Sequence, residues 1–120
     1  MRYRKSKEEN VTEKLIELMI TIAREEGDAK HGKSFADVNH GYGALAEEVD
    51  EVLFEIESIE QAEGAIRSYM RRNNADMLCE ALPYIREKSI RAIQELTQVA
   101  AVCDKYIEHI EGRKSRCQDE

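Results

Sequence analysis

The chain has 120 residues and a formal net charge of −7, with 25 Asp and Glu against 18 Lys and Arg. That balance argues against a nucleic-acid-binding module, which presents a basic face. It leaves a nucleotide substrate open, because a divalent cation can bridge acidic protein to phosphate.

With one Pro, six Gly and no Trp, and with 42% hydrophobic and 36% charged residues, the composition favours helix over sheet. The length suits a single domain spanning residues 1–120, able to bury roughly two-thirds of the surface its unfolded chain exposes. No run of about 18 apolar residues exists, so no membrane span is expected. The basic start, Arg2, Arg4, Lys5 and Lys7, lacks the apolar stretch of a secretory signal and reads as a frayed end near 1–6. Cys79, Cys103 and Cys117 match no zinc or redox spacing. They read as free thiols of a cytoplasmic protein, with Cys103 in the core.

The first helix is predicted from about Ser6–Asn10 to Glu26, with Val11, Leu15, Leu18, Met19 and Ile22 as its apolar stripe. Gly27 is its expected stop. Residues 27–39 read as a loop pinned by Phe35 and Val38. The second helix is expected to open at Asn39 as N-cap and to run to Ser58, burying Leu45, Val49, Val52, Leu53 and Ile56. Gly41 and Gly43 weaken its first turn by roughly 1 kcal/mol each relative to Ala, which fits a close approach by a neighbour or ligand. Residues 59–82 divide at Arg72-Asn73-Asn74 into a continuation and a short piece at 75–81. A last helix is predicted from Pro83 to Glu111, with Ile85, Ile90, Ile93, Leu96, Val99, Ala100, Cys103, Ile107 and Ile110 inward and Gly112 closing it. The polar tail 113–120 is expected to be flexible. The sum is an all-α, four- to five-helix antiparallel bundle.

The acids of the second helix are the informative part. At about 100° per residue, Glu48 and Glu51 lie about 60° apart and Glu47 and Glu51 about 40° apart. Glu55 follows one turn later. Like charges at these spacings destabilise a helix, and no Lys or Arg occurs between positions 34 and 66 to offset them. A hard cation such as Mg²⁺ would, since it takes oxygen ligands. An ordinary solvated face accounts for the same spacing. Glu95 and Gln98, three residues apart on the last helix, can add a carboxylate and an amide oxygen. They also read as ordinary residues at the border of an apolar face.

Glu47-Glu48-Val49-Asp50-Glu51 on one helix and Glu95-Leu96-Thr97-Gln98 on a later one resemble the two acidic motifs of the all-helical MazG-like nucleoside triphosphate pyrophosphohydrolases. The run from Asn39-His40-Gly41-Tyr42 into the acids is similar to a small bacterial and phage subgroup. The likeness covers roughly residues 35–58 and 90–108. It implies that Glu47, Glu48, Glu51 and Glu95 bind Mg²⁺, with Mn²⁺ as a substitute, with Gln98 at the fourth ligand position. It implies cleavage of a nucleoside triphosphate to monophosphate and pyrophosphate, and a homo-oligomer, dimer or tetramer. His40 and Tyr42 would line a base pocket, or else serve as a helix-start cap and a packed ring. Phosphate contacts would come from among Lys33, Arg67, Arg71, Arg72, Lys88 and Arg91.

Two departures stand out. Gln98 replaces the family's Asp, which weakens the implied metal site. The interval between Glu51 and Glu95 is longer than usual. Glu57, Glu60 and Glu63 cannot act as the second motif, because they follow the first too closely to fold back from a separate helix. A catalytically weak relative that binds a nucleotide or a protein partner, and an unrelated helical bundle, are the competing readings.

Overall fold

The computed structural model describes the backbone of residues 7–119 and the side chains of residues 10–113. The basic start and most of the polar tail's side chains lie outside these described residues. Among them are three helices and no strand: α1 Lys7–His31, α2 Val38–Arg71 and α3 Ala75–Asp119.

The all-helical expectation holds, but the count of four to five does not. The pieces expected at 39–58 and 59–71 are one helix, and those at 75–81 and 83–111 are another. Nothing between Ser58 and Arg71 breaks the helical hydrogen-bond ladder. Pro83 lies inside α3, where its missing N–H withholds one bond from the carbonyl of Cys79 without ending the helix. Gly27 and Gly112 do not stop α1 and α3 either, since both helices run past them.

The real punctuation sits elsewhere. Gly32, with φ of 90°, closes α1, and its N–H donates to Asp28 O at 2.9 Å. Asp37, not Asn39, caps α2: its Oδ1 accepts the His40 N–H at 2.7 Å. A carboxylate there also faces the positive end of the helix dipole. At the other end of α2, Asn73 takes the left-handed conformation with φ of 53°. Asn73 N–H donates to Met70 O at 3.0 Å and Asn74 N–H to Tyr69 O at 2.9 Å, the paired bonds of a Schellman ending. Asn74 Oδ1 then accepts Met77 N–H at 3.2 Å and so opens α3.

Two compact units divide the chain: Met1–Leu45 with Thr97–Glu120, and Ala46–Leu96. The first gathers around Phe35, which is buried and does pin its loop, as predicted. His40, Tyr106 and His109 meet its ring edge-on at 5.2, 5.9 and 6.5 Å. Buried Lys105 lies 4.8 Å from the ring centroid, pairs with Asp28 at 3.3 Å and donates to the Gly32 carbonyl. Arg24 ties Asp28 at 3.1 Å to Glu108 at 2.7 Å. Tyr106 Oη donates to Val38 O at 2.8 Å, and a Cβ on Gly41 would stand 2.6 Å from the Tyr106 ring. The close neighbour that Gly41 accommodates is therefore this tyrosine.

The second unit is a hairpin of α2 and α3 closed by the Asn73–Asn74 turn. Val52 and Ala92 are its buried apolar contacts, with the buried carboxylate Glu55 beside them. The predicted stripes are mostly open: Val11, Leu15, Leu18 and Ile22 on α1, Val49, Leu53 and Ile56 on α2, and Ile90, Ile93, Leu96 and Ile107 on α3 are all exposed, and Val38, expected to pin the loop with Phe35, is exposed as well. Cys103 is half-buried.

Candidate functional site

The acids meet within the second unit. On α2 the helical repeat sets Glu48 and Glu51 one turn apart, and the α2–α3 hairpin brings Glu95 beside them. Each of the three offers a carboxylate oxygen within 4.8 Å of the others. Glu47, Asp50, Glu51, Phe54, Glu55 and Glu95 line one groove along this flank.

Electrostatics mark the cluster. Partial burial, with the charges of Glu51, Glu95 and Glu47 and a hydrogen bond shared with Glu51, pushes the Glu48 carboxyl up to about 7. Burial likewise raises Glu95, reinforced by a hydrogen bond with Glu51 and by the charges of Glu51 and Glu55. Three carboxylates so close cannot all ionise cheaply without a cation.

One turn along from Glu51, buried Glu55 is paired with Lys88 on α3. Lys88 Nζ stands 3.4 Å from Glu55 Oε2, an oxygen that is buried and receives no hydrogen bond. The ammonium lies 5.8 Å from the Phe54 ring and 5.6 Å from the Tyr84 ring, within range of cation–π attraction. This pair was not legible in the sequence beyond Glu55's place on the Glu51 side. Residues 33 positions apart announce no contact through spacing.

The other residues singled out from the sequence stand as follows. Arg91 is in the same unit, exposed and held by Glu87 at 3.0 Å. Arg67 pairs with Glu63 at 2.8 Å, and Arg72 bonds Ser68 at 3.0 Å and lies 5.6 Å from the Tyr69 ring centroid. Lys33, His40, Tyr42 and Gln98 belong to the first unit. Lys33 is exposed in the 32–37 loop and Tyr42 is exposed on α2. His40 is engaged at the helix start: its Nδ1 accepts the Ala36 N–H at 3.0 Å, and its ring meets Phe35. That is the capping role weighed for it from the sequence.

Carboxylate oxygens are hard donors of the kind Mg²⁺ and Mn²⁺ take, so the donor set fits a divalent cation. Comparison with protein families, curated proteins and solved structures yields no match to this chain.

Proposed function

We propose that the chain is a divalent-cation-dependent nucleoside triphosphate pyrophosphohydrolase of the MazG-like type, or a close relative. The carrying observation is the convergence of Glu48 and Glu51 from α2 with Glu95 from α3, their carboxylate oxygens within 4.8 Å of one another. Glu48, Glu51 and Glu95 would hold the cation, and Glu47 borders the same groove. When bound, Mg²⁺ or Mn²⁺ supplies charge neutralisation and polarisation for a triphosphate.

The side chains divide the remaining work. Glu48 holds a proton near neutral pH until a cation takes its place. Lys88 and Arg91 are two cations of the same unit that can turn toward phosphate, each after giving up its carboxylate partner. Phe54, exposed on the groove, offers a ring face to a base.

The test is pyrophosphate release from a panel of standard and modified nucleoside triphosphates with Mg²⁺ or Mn²⁺. Turnover is expected, and Glu48→Gln, Glu51→Gln and Glu95→Gln are each expected to lower it at least about 100-fold. Silence across the panel at high enzyme concentration removes the enzymatic reading. A second reading is favoured by Gln98, which stands where the family has an acid: the fold binds cation and nucleotide without cleaving it. Calorimetry that shows binding, with no pyrophosphate released, selects that reading.

A further inference from the structure

Glu55 stands one turn beyond Glu51 on α2. It lines the acidic groove with Glu51 and Glu95 and is close enough for its charge to act on Glu95. It is only 9% exposed, and its Oε2 is buried without a hydrogen bond, although Lys88 Nζ stands 3.4 Å away. The charge is balanced there but the lone pairs are not, a costly way to bury a carboxylate. Lys88 has a second source of attraction: its ammonium lies 5.8 and 5.6 Å from the rings of Phe54 and Tyr84, both exposed. Among the described residues five acids and Phe54 line the groove, and no Lys or Arg does.

We propose that Glu55 is a further ligand of the divalent cation that Glu48, Glu51 and Glu95 would hold, and that Lys88 is the internal counter-ion Glu55 gives up when that cation binds. The proposal rests on the cation-site reading and adds to it a carboxylate outside both acidic motifs. Three arguments support it. Residues four apart on a helix are neighbours on its surface, so Glu55 can reach an ion held beside Glu51. Mg²⁺ is octahedral, so three carboxylates, each giving one oxygen, leave positions open. A hard cation also bonds the carboxylate oxygen directly, which the ammonium at 3.4 Å does not. Once released, Lys88 stays beside Phe54 and Tyr84, where an ammonium is attracted to the ring faces. There it is a point charge available to a phosphate oxygen. Cation binding would therefore precede the contact of Lys88 with a triphosphate.

Calorimetric titration of the full chain with Mn²⁺ tests it. Glu55→Gln is expected to weaken binding at least about tenfold. Lys88→Met is expected to strengthen it at least about threefold, because the competing charge is gone. The double variant is expected to bind like Glu55→Gln, within about twofold. Arg91→Met removes the same charge from the same helix, but Arg91 is exposed and paired with Glu87, so affinity is expected to change by less than about twofold. Unchanged affinity in Glu55→Gln, weaker binding by folded Lys88→Met, or equal strengthening by Arg91→Met overturns the proposal. Circular dichroism establishes which variants fold. Where Lys88→Met or Glu55→Gln does not, the unsubstituted protein decides: Mg²⁺ is expected to increase acylation of Lys88 by an amine reagent, read by mass spectrometry, while labelling of exposed Lys14 stays constant. No increase at Lys88 overturns the proposal. Pyrophosphate release is measured separately. If it is absent while the affinities change as expected, the enzymatic reading fails and this proposal stands. If turnover is present and Glu55→Gln binds Mn²⁺ as before, the reverse holds. If the unsubstituted protein binds no Mn²⁺, both fall.

Discussion

Glu48 holds a proton at pH values where an isolated glutamate has lost it, because burial and three neighbouring acids penalise its charge. Its pKa rises from 4.5 unfolded to about 7 folded, so in that interval the native state binds the extra proton. The stability contributed by this group is complete below about 4.5 and is lost as pH rises through 7. Metal-free protein is therefore expected to melt progressively lower, relative to Glu48→Gln, as pH is raised from about 5 to 8. Scanning calorimetry of the two proteins across that range checks it. Because cation and proton compete for the same oxygens, Mg²⁺ is expected to raise the melting temperature more at pH 8 than at pH 6, and to do little for Glu48→Gln or Glu51→Gln. If the acids are only a solvated face, Mg²⁺ leaves wild type and variants alike. Gly41 and Gly43 make a second paired test. A Cβ at Gly41 would stand 2.6 and 2.7 Å from Tyr106 ring carbons and 3.1 Å from Phe35, whereas at Gly43 it meets open space. Gly41→Ala is expected to destabilise by about 1–3 kcal/mol through overpacking. Gly43→Ala is expected to stabilise by about 0.5–1 kcal/mol through helix propensity. Denaturant titrations distinguish the two.

The helices depend on a few polar residues at their ends. Asn73 and Asn74 divide one turn between them: Asn73 accepts the left-handed backbone that ends α2, and Asn74 caps α3 through Met77 N–H. This turn returns α3 along α2 and so sets Glu95 beside Glu51. Asn74→Ala is expected to cost about 1 kcal/mol. Asn73→Gly, at a conformation glycine adopts freely, is expected to be neutral or stabilising, and Asn73→Ala destabilising. Chemical denaturation reads all three, and Mn²⁺ binding by calorimetry is expected to weaken only where the hairpin loosens. The break at 72–74 was legible because asparagines in sequence signal turns. The true caps at Asp37 and Gly32 were not. Several cap-type residues crowd positions 27–39, and only the tertiary anchor at Phe35 selects among them.

Across the described residues the buried apolar set is small: Phe35, Val52, Ala92 and Ala101, with no large side chain fully enclosed. Many hydrophobic residues at helical spacing therefore remain on open faces, more than isolated surface residues account for. With a net charge of −7, repulsion opposes non-specific clustering, so any association must use a defined patch. None of the helices among the described residues is long and apolar enough to cross a membrane.

The sequence by itself determined that this chain is helical, that it turns near Asn73, and that Glu47, Glu48, Glu51 and Glu55 share one side of a helix. Those properties follow from local backbone propensity and the 3.6-residue repeat. It could mark apolar stripes but not what covers them, because periodicity defines a face and burial needs a partner. For that reason Leu15, Leu53 and Ile93 were read as core and stand exposed, while Ala92 and Ala101, too small to mark a stripe, are buried. Only the tertiary structure brought Glu95 to Glu48 and Glu51, paired Lys88 with Glu55 and placed Tyr106 against Gly41. Each joins residues far apart in the chain, and their meeting depends on where the turns direct the helices.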